Sequence, residues 1–94
     1  MQETIDLYEA IRQMRKLSTD EKSFSFIHST WDYERNRSNG FRSVEHAKLR
    51  PAASKDDLVH ADFKLFYYDE DLKEPRNCWQ VLLLEFNGKK VVLN

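Results

Sequence analysis

The last segment of the chain, LEFNGKKVVLN, carries the feature that most restricts the fold, an Asn87-Gly88 pair between two runs that can form strands. Asn-Gly is the strongest short-range hairpin signal, because both central residues of a type I′ turn need a positive φ. A two-residue turn places Glu85 opposite Lys90 and the apolar residues 91–93 opposite the apolar residues 82–84. The register therefore predicts a hairpin whose final strand belongs to the core, and we expect its removal to damage the fold.

Three earlier segments alternate side chains with the period of two that is typical of strands. They are residues 23–31 (SFSFIHSTW), residues 41–50 (FRSVEHAKLR, ended by Pro51) and residues 63–71 (FKLFYYDED). Residues 76–86 (RNCWQVLLLEF) are apolar on both faces, which predicts a central strand covered on both sides. Residues 51–62 are expected to connect the second and third segments, with at most a short helical turn.

A second Asn-Gly pair, Asn39 and Gly40, lies between the first two of these segments. The tightest hairpin would set Arg37 opposite Arg42, and like charges directly opposite are unfavourable. Registers one step to either side pair acidic with basic side chains instead. We therefore expect a longer loop with Asn39 and Gly40 at its tip.

Residues 1–18 predict an amphipathic helix with Thr4 as its N-cap, because apolar residues recur at helical spacing within an arc of about 120°. This stripe consists of Leu7, Ala10, Ile11, Met14 and Leu17. The predicted fold class is α+β, in which this amino-terminal helix packs on a curved antiparallel sheet or small open barrel of about five strands. Residues 1–94 are expected to form a single domain, with the β-rich region at 23–94.

Composition restricts the setting more than the activity. The 94 residues allow one domain at most, and a formal net charge of −1 favours no class of partner. The single cysteine excludes an internal disulfide and fits a reducing compartment. The amino terminus has early acids and no apolar block, and the longest apolar run is residues 81–84, so we expect no signal peptide and no membrane span. The predicted location is cytoplasmic, with no membrane partner.

No catalytic, cofactor or metal site is expected. His28, His46, His60 and Cys78 lack ligand-type spacing for zinc. Cys78 lies beside Trp79 in the most apolar segment, which predicts a buried, unreactive thiol. Two glycines, each in its own turn, leave no glycine-rich phosphate loop. We therefore expect a protein that is not an enzyme.

One surface stands out as a candidate site. Basic residues of one parity on the second strand segment would project from one face of the sheet, with two aromatic residues of the partner strand beside them. The surface consists of Trp31, Tyr33, Arg42, His46, Lys48 and Arg50. Basic and aromatic side chains together on a sheet are typical of small barrels that bind single-stranded nucleic acid. The alternative is the ordinary polar outer face of a strand, and Val44 shares that parity.

Two functional hypotheses follow. The first is a structural or assembly protein that acts through protein–protein contacts or self-association, since catalytic constellations are missing and aromatics are enriched at interfaces. Its candidate contact residues are Trp31, Tyr33, Tyr67 and Tyr68. The second is a single-stranded nucleic-acid-binding β module that uses the basic surface.

The segments MRKLS, SFSFI, AKLRPA, FKLFYYD, EPRNCWQ and FNGKKVVLN resemble short uncharacterised proteins of Bacteroidetes prophages and related mobile elements. The resemblance spans residues 14–94 and contains no functional motif, so it assigns no role to any residue. It implies a phage-type setting, in which small β-rich domains commonly act as building blocks of particles.

Overall fold

The computed structural model describes residues 3–32, 34–51 and 63–93. Within these ranges the chain forms one α-helix, seven strands and a 3-10 turn at Gln80–Leu82. The elements are β1 (Thr4–Asp6), α1 (Leu7–Thr19), β2 (Phe24–Asp32), β3 (Arg37–Leu49), β4 (Lys64–Asp69), β5 (Glu74–Trp79), β6 (Leu83–Phe86) and β7 (Lys89–Val92).

The strands form one mixed sheet in the order β1-β7-β6-β2-β3-β4-β5. Only β1 and β7 pair in parallel; all other described pairs are antiparallel. The predicted α+β class is confirmed, but the count of five strands is wrong, and the sheet stays open because β1 and β5 are its two edges. One missed strand is β1, whose three residues are too few to show a period.

The amino-terminal helix is confirmed, but it begins later than predicted. Asp6, not Thr4, is the N-cap, and its carboxylate accepts hydrogen bonds from the backbone N–H groups of Tyr8 (3.1 Å) and Glu9 (3.3 Å). Thr4 instead belongs to β1. The predicted apolar stripe faces the core, with four of its residues buried and Leu17 packed against their cluster.

The predicted central strand at residues 76–86 is wrong. The 3-10 turn divides it into β5, which pairs with β4 at the sheet edge, and β6, which lies between β2 and β7. Its apolar residues are not covered on both faces, because Val81 is 73% exposed and Leu84 is 42% exposed. The segment is apolar at alternate positions of both parities because its two halves belong to different strands, β5 and β6, which lie apart in the sheet.

The short connection between β5 and β6 also requires a strongly curved sheet. From Trp79 to Leu83 the chain can span at most roughly 14 Å. In a flat sheet these strands would be separated by four strand spacings, about 19 Å. The sheet must therefore curl, and the contact of the Phe26 ring (β2) with the Tyr67 ring (β4), centroids 4.9 Å apart, shows this across the core.

Asn39 and Gly40 do not form the tip of the β2–β3 loop, so that prediction is wrong. The turn lies at residues 34–36, and β3 begins at Arg37, opposite Asp32. The pairs Ser29↔Phe41 and Trp31↔Ser38 leave one extra residue in β3. The Asn-Gly pair therefore forms a β-bulge, in which Gly40 adopts φ +91°.

A second bulge lies further along β3. Phe24 is opposite Ala47 and Phe26 is opposite Val44, so two steps on β2 correspond to three on β3. Val44 and Ala47 are consequently both buried, although their sequence spacing places them on opposite faces of a regular strand. If the alternation of the residues before this bulge is continued along β3, it assigns every later side chain to the wrong face of the sheet.

The carboxyl-terminal hairpin is confirmed at its turn, where Glu85 is opposite Lys90 and Asn87 and Gly88 have φ of 47° and 83°. The described ladder between β6 and β7 contains the pairs Glu85↔Lys90 and Phe86↔Lys89, and on its other edge β7 pairs with β1 from Lys90 onward. Residues 91 and 92 are half-buried, whereas Leu93 is exposed. The expectation that all of residues 91–93 belong to the core is therefore wrong for Leu93.

The core is one cluster between the helix and the inner face of the curled sheet. It consists of Ile5, Leu7, Ala10, Ile11, Met14, Phe24, Phe26, Val44, Ala47, Leu65, Tyr67, Cys78, Leu83 and Phe86. No helix within the described ranges is long and apolar enough to cross a membrane. Most of the predicted 51–62 connection lies outside the described residues.

Candidate functional site

The structure does not bring the six predicted surface residues together on one face. Arg42 precedes the second bulge of β3 and is opposite His28, which is buried, so Arg42 points to the core side. His46 lies within the bulge and Lys48 follows it, and both are on the outer side, away from Arg42. Tyr33 lies outside the described residues.

Acids of the β4–β5 turn neutralise the outer basic residues. Nδ1 of His46 lies 3.0 Å from a carboxylate oxygen of Asp71, and Nζ of Lys48 lies 3.7 Å from Glu70. The hydrogen bond to Asp71 raises the pKa of His46. The outer face of β3 therefore carries paired charges instead of the uncompensated basic surface that nucleic-acid binding requires.

Arg50 has a structural role. Its Nε donates to the carbonyl oxygen of Tyr67, and its Nη2 donates to the carbonyl oxygen of Arg76, both at 3.0 Å. Its guanidinium also lies over the ring of Phe66, 5.6 Å from the centroid. The side chain therefore ties the end of β3 to β4 and β5.

The aromatic residues that were predicted to contact a partner include both buried and exposed side chains. Tyr67 is fully buried, so its prediction as a surface contact residue is wrong. Its hydroxyl donates to Nε2 of His28 at 3.0 Å. Trp31 and Tyr68 are partly exposed, at 38% and 37%. Of the aromatic candidates in the described ranges, these two reach solvent.

A cleft of about 220 Å³ opens at one end of the core, where β5 approaches β2. Arg42 is opposite His28, and Arg76 is opposite the buried Tyr67, so both arginines occupy core-facing strand positions. We call this the arginine cleft. Its lining residues are His28, Ser29, Thr30, Trp31, Arg42, Tyr67, Arg76, Asn77, Cys78, Trp79 and Leu82.

His28 forms part of the cleft wall and is neutral near pH 7. Its Nδ1 lies 3.1 Å from the carbonyl oxygen of Ser29, which can only accept, so Nδ1 carries the proton and Nε2 accepts from Tyr67. Burial lowers the pKa of His28 most, and the charges of Arg42 and Arg76 lower it further. The positive charges of both guanidinium groups therefore disfavour protonation of His28.

The two arginines differ in their compensation. Nη2 of Arg76 donates to Glu74 at 2.6 Å, whereas the guanidinium of Arg42 has no hydrogen bond or ion pair within the described part of the chain. None of the described lining residues is a carboxylate. Among the described lining residues, Arg42 is therefore the cation without an ion pair. Nε of Arg76 is also buried without a described partner, which costs about 1–3 kcal/mol.

An apolar hollow of about 270 Å³ adjoins the arginine cleft. We call its four lining residues, Trp31, Trp79, Val81 and Leu82, the apolar ledge. Three of these residues also line the arginine cleft, so the hollow and the cleft are continuous; they are Trp31, Trp79 and Leu82. Val81 projects from the 3-10 turn and is the most exposed member. The surface therefore offers one cationic part and one apolar part side by side.

Cys78 is buried as predicted, and burial raises the pKa of its thiol to about 12. Elsewhere among the described residues, Glu45, His46 and Asp71 place potential ligand atoms within 4.8 Å of one another. All three are exposed, and His46 is already hydrogen-bonded to Asp71. This geometry is that of a surface ion pair, and it does not carry a metal assignment.

The sequence contained a weak signal for the cleft. Arg76 shares strand parity with the buried Cys78, and Arg42 shares it with the buried Val44. A charged residue at a core-facing position departs from the binary pattern, and such departures concentrate at functional sites. That both arginines meet at one cleft depends on the curl of the sheet. No protein-family model, curated protein or solved structure matches this chain.

Proposed function

We propose that this protein is a non-enzymatic binding protein that acts in assembly through contact with another protein at the apolar ledge. The observation that carries the proposal is the position of Val81, 73% exposed beside two tryptophans. Interfaces concentrate their binding energy in a few aromatic and apolar side chains that become fully buried. The resemblance to prophage proteins would suit a role in building a particle.

The charge distribution favours a protein partner over a polynucleotide. Acidic residues balance the 15 basic ones, at 16 to 15, and several exposed cations are paired with acids, among them Arg12 with Glu9 and Lys89 with Glu3. A polynucleotide needs a track of uncompensated cations along its backbone. A protein partner needs only an apolar contact with a polar rim, which the ledge and cleft provide.

The test compares wild type with Val81→Asp, which places a charge in the centre of the ledge. Solution mass over a concentration series detects self-association, and retention from a host lysate on immobilised protein detects a different partner. The control is Leu72→Asp, which adds the same charge at another exposed leucine, in the β4–β5 turn. We expect association in wild type and in Leu72→Asp, and its loss in Val81→Asp.

Two results would contradict the proposal. One is a wild-type protein that stays monomeric at high concentration and retains nothing from the lysate. The other is association that survives unchanged in Val81→Asp.

A second candidate function, single-stranded nucleic-acid binding, is favoured by one observation. Trp31 and Trp79 line a surface that also contains Arg42 and Arg76, a combination that could stack a base and contact a phosphate. Fluorescence anisotropy with a labelled oligonucleotide at low salt tests it. Binding that weakens steeply with salt would support this function. Absence of binding at high protein concentration would end it.

A further inference from the structure

We propose that the arginine cleft binds the terminal carboxylate of a polypeptide partner, while the apolar ledge takes the side chain of the partner's last residue. This inference rests on the proposed function, because it assumes that the partner is a protein. It adds the chemistry that the partner must present: a free carboxyl end and an apolar final residue.

The charge of the cleft matches a single negative charge. Arg76 is already paired with Glu74, which leaves Arg42 as the uncompensated cation among the described lining residues. A carboxylate supplies one negative charge and can accept two hydrogen bonds from a guanidinium fork. A phosphate monoester carries about two charges near pH 7 and would leave one of them unmatched unless the pair of Arg76 and Glu74 separated.

The size of the cleft fits the end of a ligand. Its volume of about 220 Å³ lies below the ~300–1,000 Å³ that is usual for sites enclosing a whole small molecule. The adjoining hollow is of similar size and has only apolar lining residues. A ligand with one charged end and one short apolar branch would occupy both spaces.

A chain terminus has that shape. The last residue of a polypeptide carries its carboxylate and its side chain on the same Cα, so the two diverge from one atom into neighbouring spaces. The cleft and the hollow likewise diverge from a shared wall of Trp31, Trp79 and Leu82. An aspartate or glutamate within a chain would need a second residue to supply the apolar group.

The experiment is a titration of the full chain, followed by the indole N–H and arginine Nε–H signals in ¹⁵N NMR spectra. The probes are synthetic tetrapeptides that end in alanine, valine, leucine, isoleucine or phenylalanine, each prepared as the free acid and as the terminal amide. Isovalerate and inorganic phosphate are titrated in parallel. The protein variants are Arg42→Gln and, as a matched loss of charge on the outer face of β3, Lys48→Gln.

We expect at least one apolar-terminated acid to shift the signals of Trp31, Trp79 and Arg42. Its amide should bind about tenfold or more weakly, because a charge-assisted hydrogen bond is lost. Arg42→Gln should reduce affinity for the acid by a similar factor, and Lys48→Gln should leave it unchanged. The comparison of acid with amide uses wild type alone, so it does not depend on the folding of a variant.

Several results would overturn the inference. These are no binding by any acid at millimolar concentration, equal binding of acid and amide, phosphate binding more tightly than the acids, and isovalerate binding as tightly as the peptides. The last would identify a free organic acid as the ligand. If Arg42→Gln keeps the partner that Val81→Asp loses, this inference fails while the proposed function stands.

Discussion

The hydroxyl of Tyr67 donates a 3.0 Å hydrogen bond to Nε2 of His28, and this bond joins β4 to β2 across the core although β3 separates the two strands in the sheet. Both side chains are buried. The bond therefore depends on the curl of the sheet, and it fixes the wall of the arginine cleft. The free energy that this hydrogen bond contributes to folding is also a contribution to the stability of the cleft wall.

We expect Tyr67→Phe to lower the free energy of unfolding by about 1–3 kcal/mol, because it leaves the buried Nε2 of His28 without a donor. Urea unfolding followed by circular dichroism measures the change. The control is Tyr68→Phe, the same substitution at the neighbouring and partly exposed tyrosine, for which we expect a change within about 0.5 kcal/mol. Equal effects of the two substitutions would show that the bond to His28 adds nothing.

Stability should fall as the pH decreases below about 6.5, the ordinary pKa of histidine. Burial lowers the pKa of His28, so between 6.5 and its folded pKa the unfolded chain binds a proton that the folded chain does not. Unfolding is then favoured by acid, and the effect levels off below the folded pKa. Urea midpoints measured between about pH 7.5 and about pH 5 check this expectation.

Two variants isolate the contribution of His28 to this pH dependence. His28→Gln should flatten the slope. His46→Gln should preserve it, since the pair with Asp71 raises the pKa of His46, and its contribution is lost as the pH rises, the opposite direction. That contribution should be small because the pair is exposed to solvent. A slope that persists in His28→Gln would assign the acid sensitivity to another group.

A separate prediction concerns the bulge at Gly40. Gly40 has φ +91°, and a Cβ placed there would meet no atom within 4 Å. Gly40→Ala should therefore destabilise only through the backbone conformation, by about 1–2 kcal/mol. Gly40→Asn should cost less, because asparagine tolerates positive φ better. Thermal melts of both variants test the order, and an alanine variant as stable as wild type would mean that the bulge rearranges freely.

The carboxyl-terminal strand should matter through its pairing with β1. Val91 packs against the core and is opposite the buried Ile5. Deleting residues 91–94 should lower stability by about 2–4 kcal/mol, which is a large fraction of the total for a small domain. Deleting only residues 93–94 should have little effect, because Leu93 is exposed. Circular dichroism melts that coincide for the two truncations would contradict this account.

Local features of the fold were predictable from the sequence, and its long-range features were not. The helix stripe, the alternation in β2 and β4 and the turn at Asn87 depend on neighbours in the chain, so periodicity and turn chemistry identify them. The division of residues 76–86 is different, because an apolar run does not show that its two halves pair with different strands. The 3-10 turn becomes evident only when β6 is placed beside β2.

The candidate site shows the same limit. Trp31 and Arg42 were both named from the sequence, but for a face that does not exist as one surface. One extra residue in β3 reverses the direction of every later side chain, and that bulge has no glycine or proline to signal it. Arg76 and Val81 were missed because their positions in the cleft and the ledge depend on the curl that brings β5 to β2.

The most direct test of the account is a photocrosslinking measurement in the native host. Benzoylphenylalanine replaces Val81 in the apolar ledge in one sample, and Leu72 in the β4–β5 turn in the other, so that both probes start from an exposed apolar residue. We expect a discrete crosslinked protein, a second copy or another chain, from position 81 and none from position 72. A position 81 probe that crosslinks nothing, or that gives the same products as position 72, would contradict the claim that the ledge contacts a protein partner.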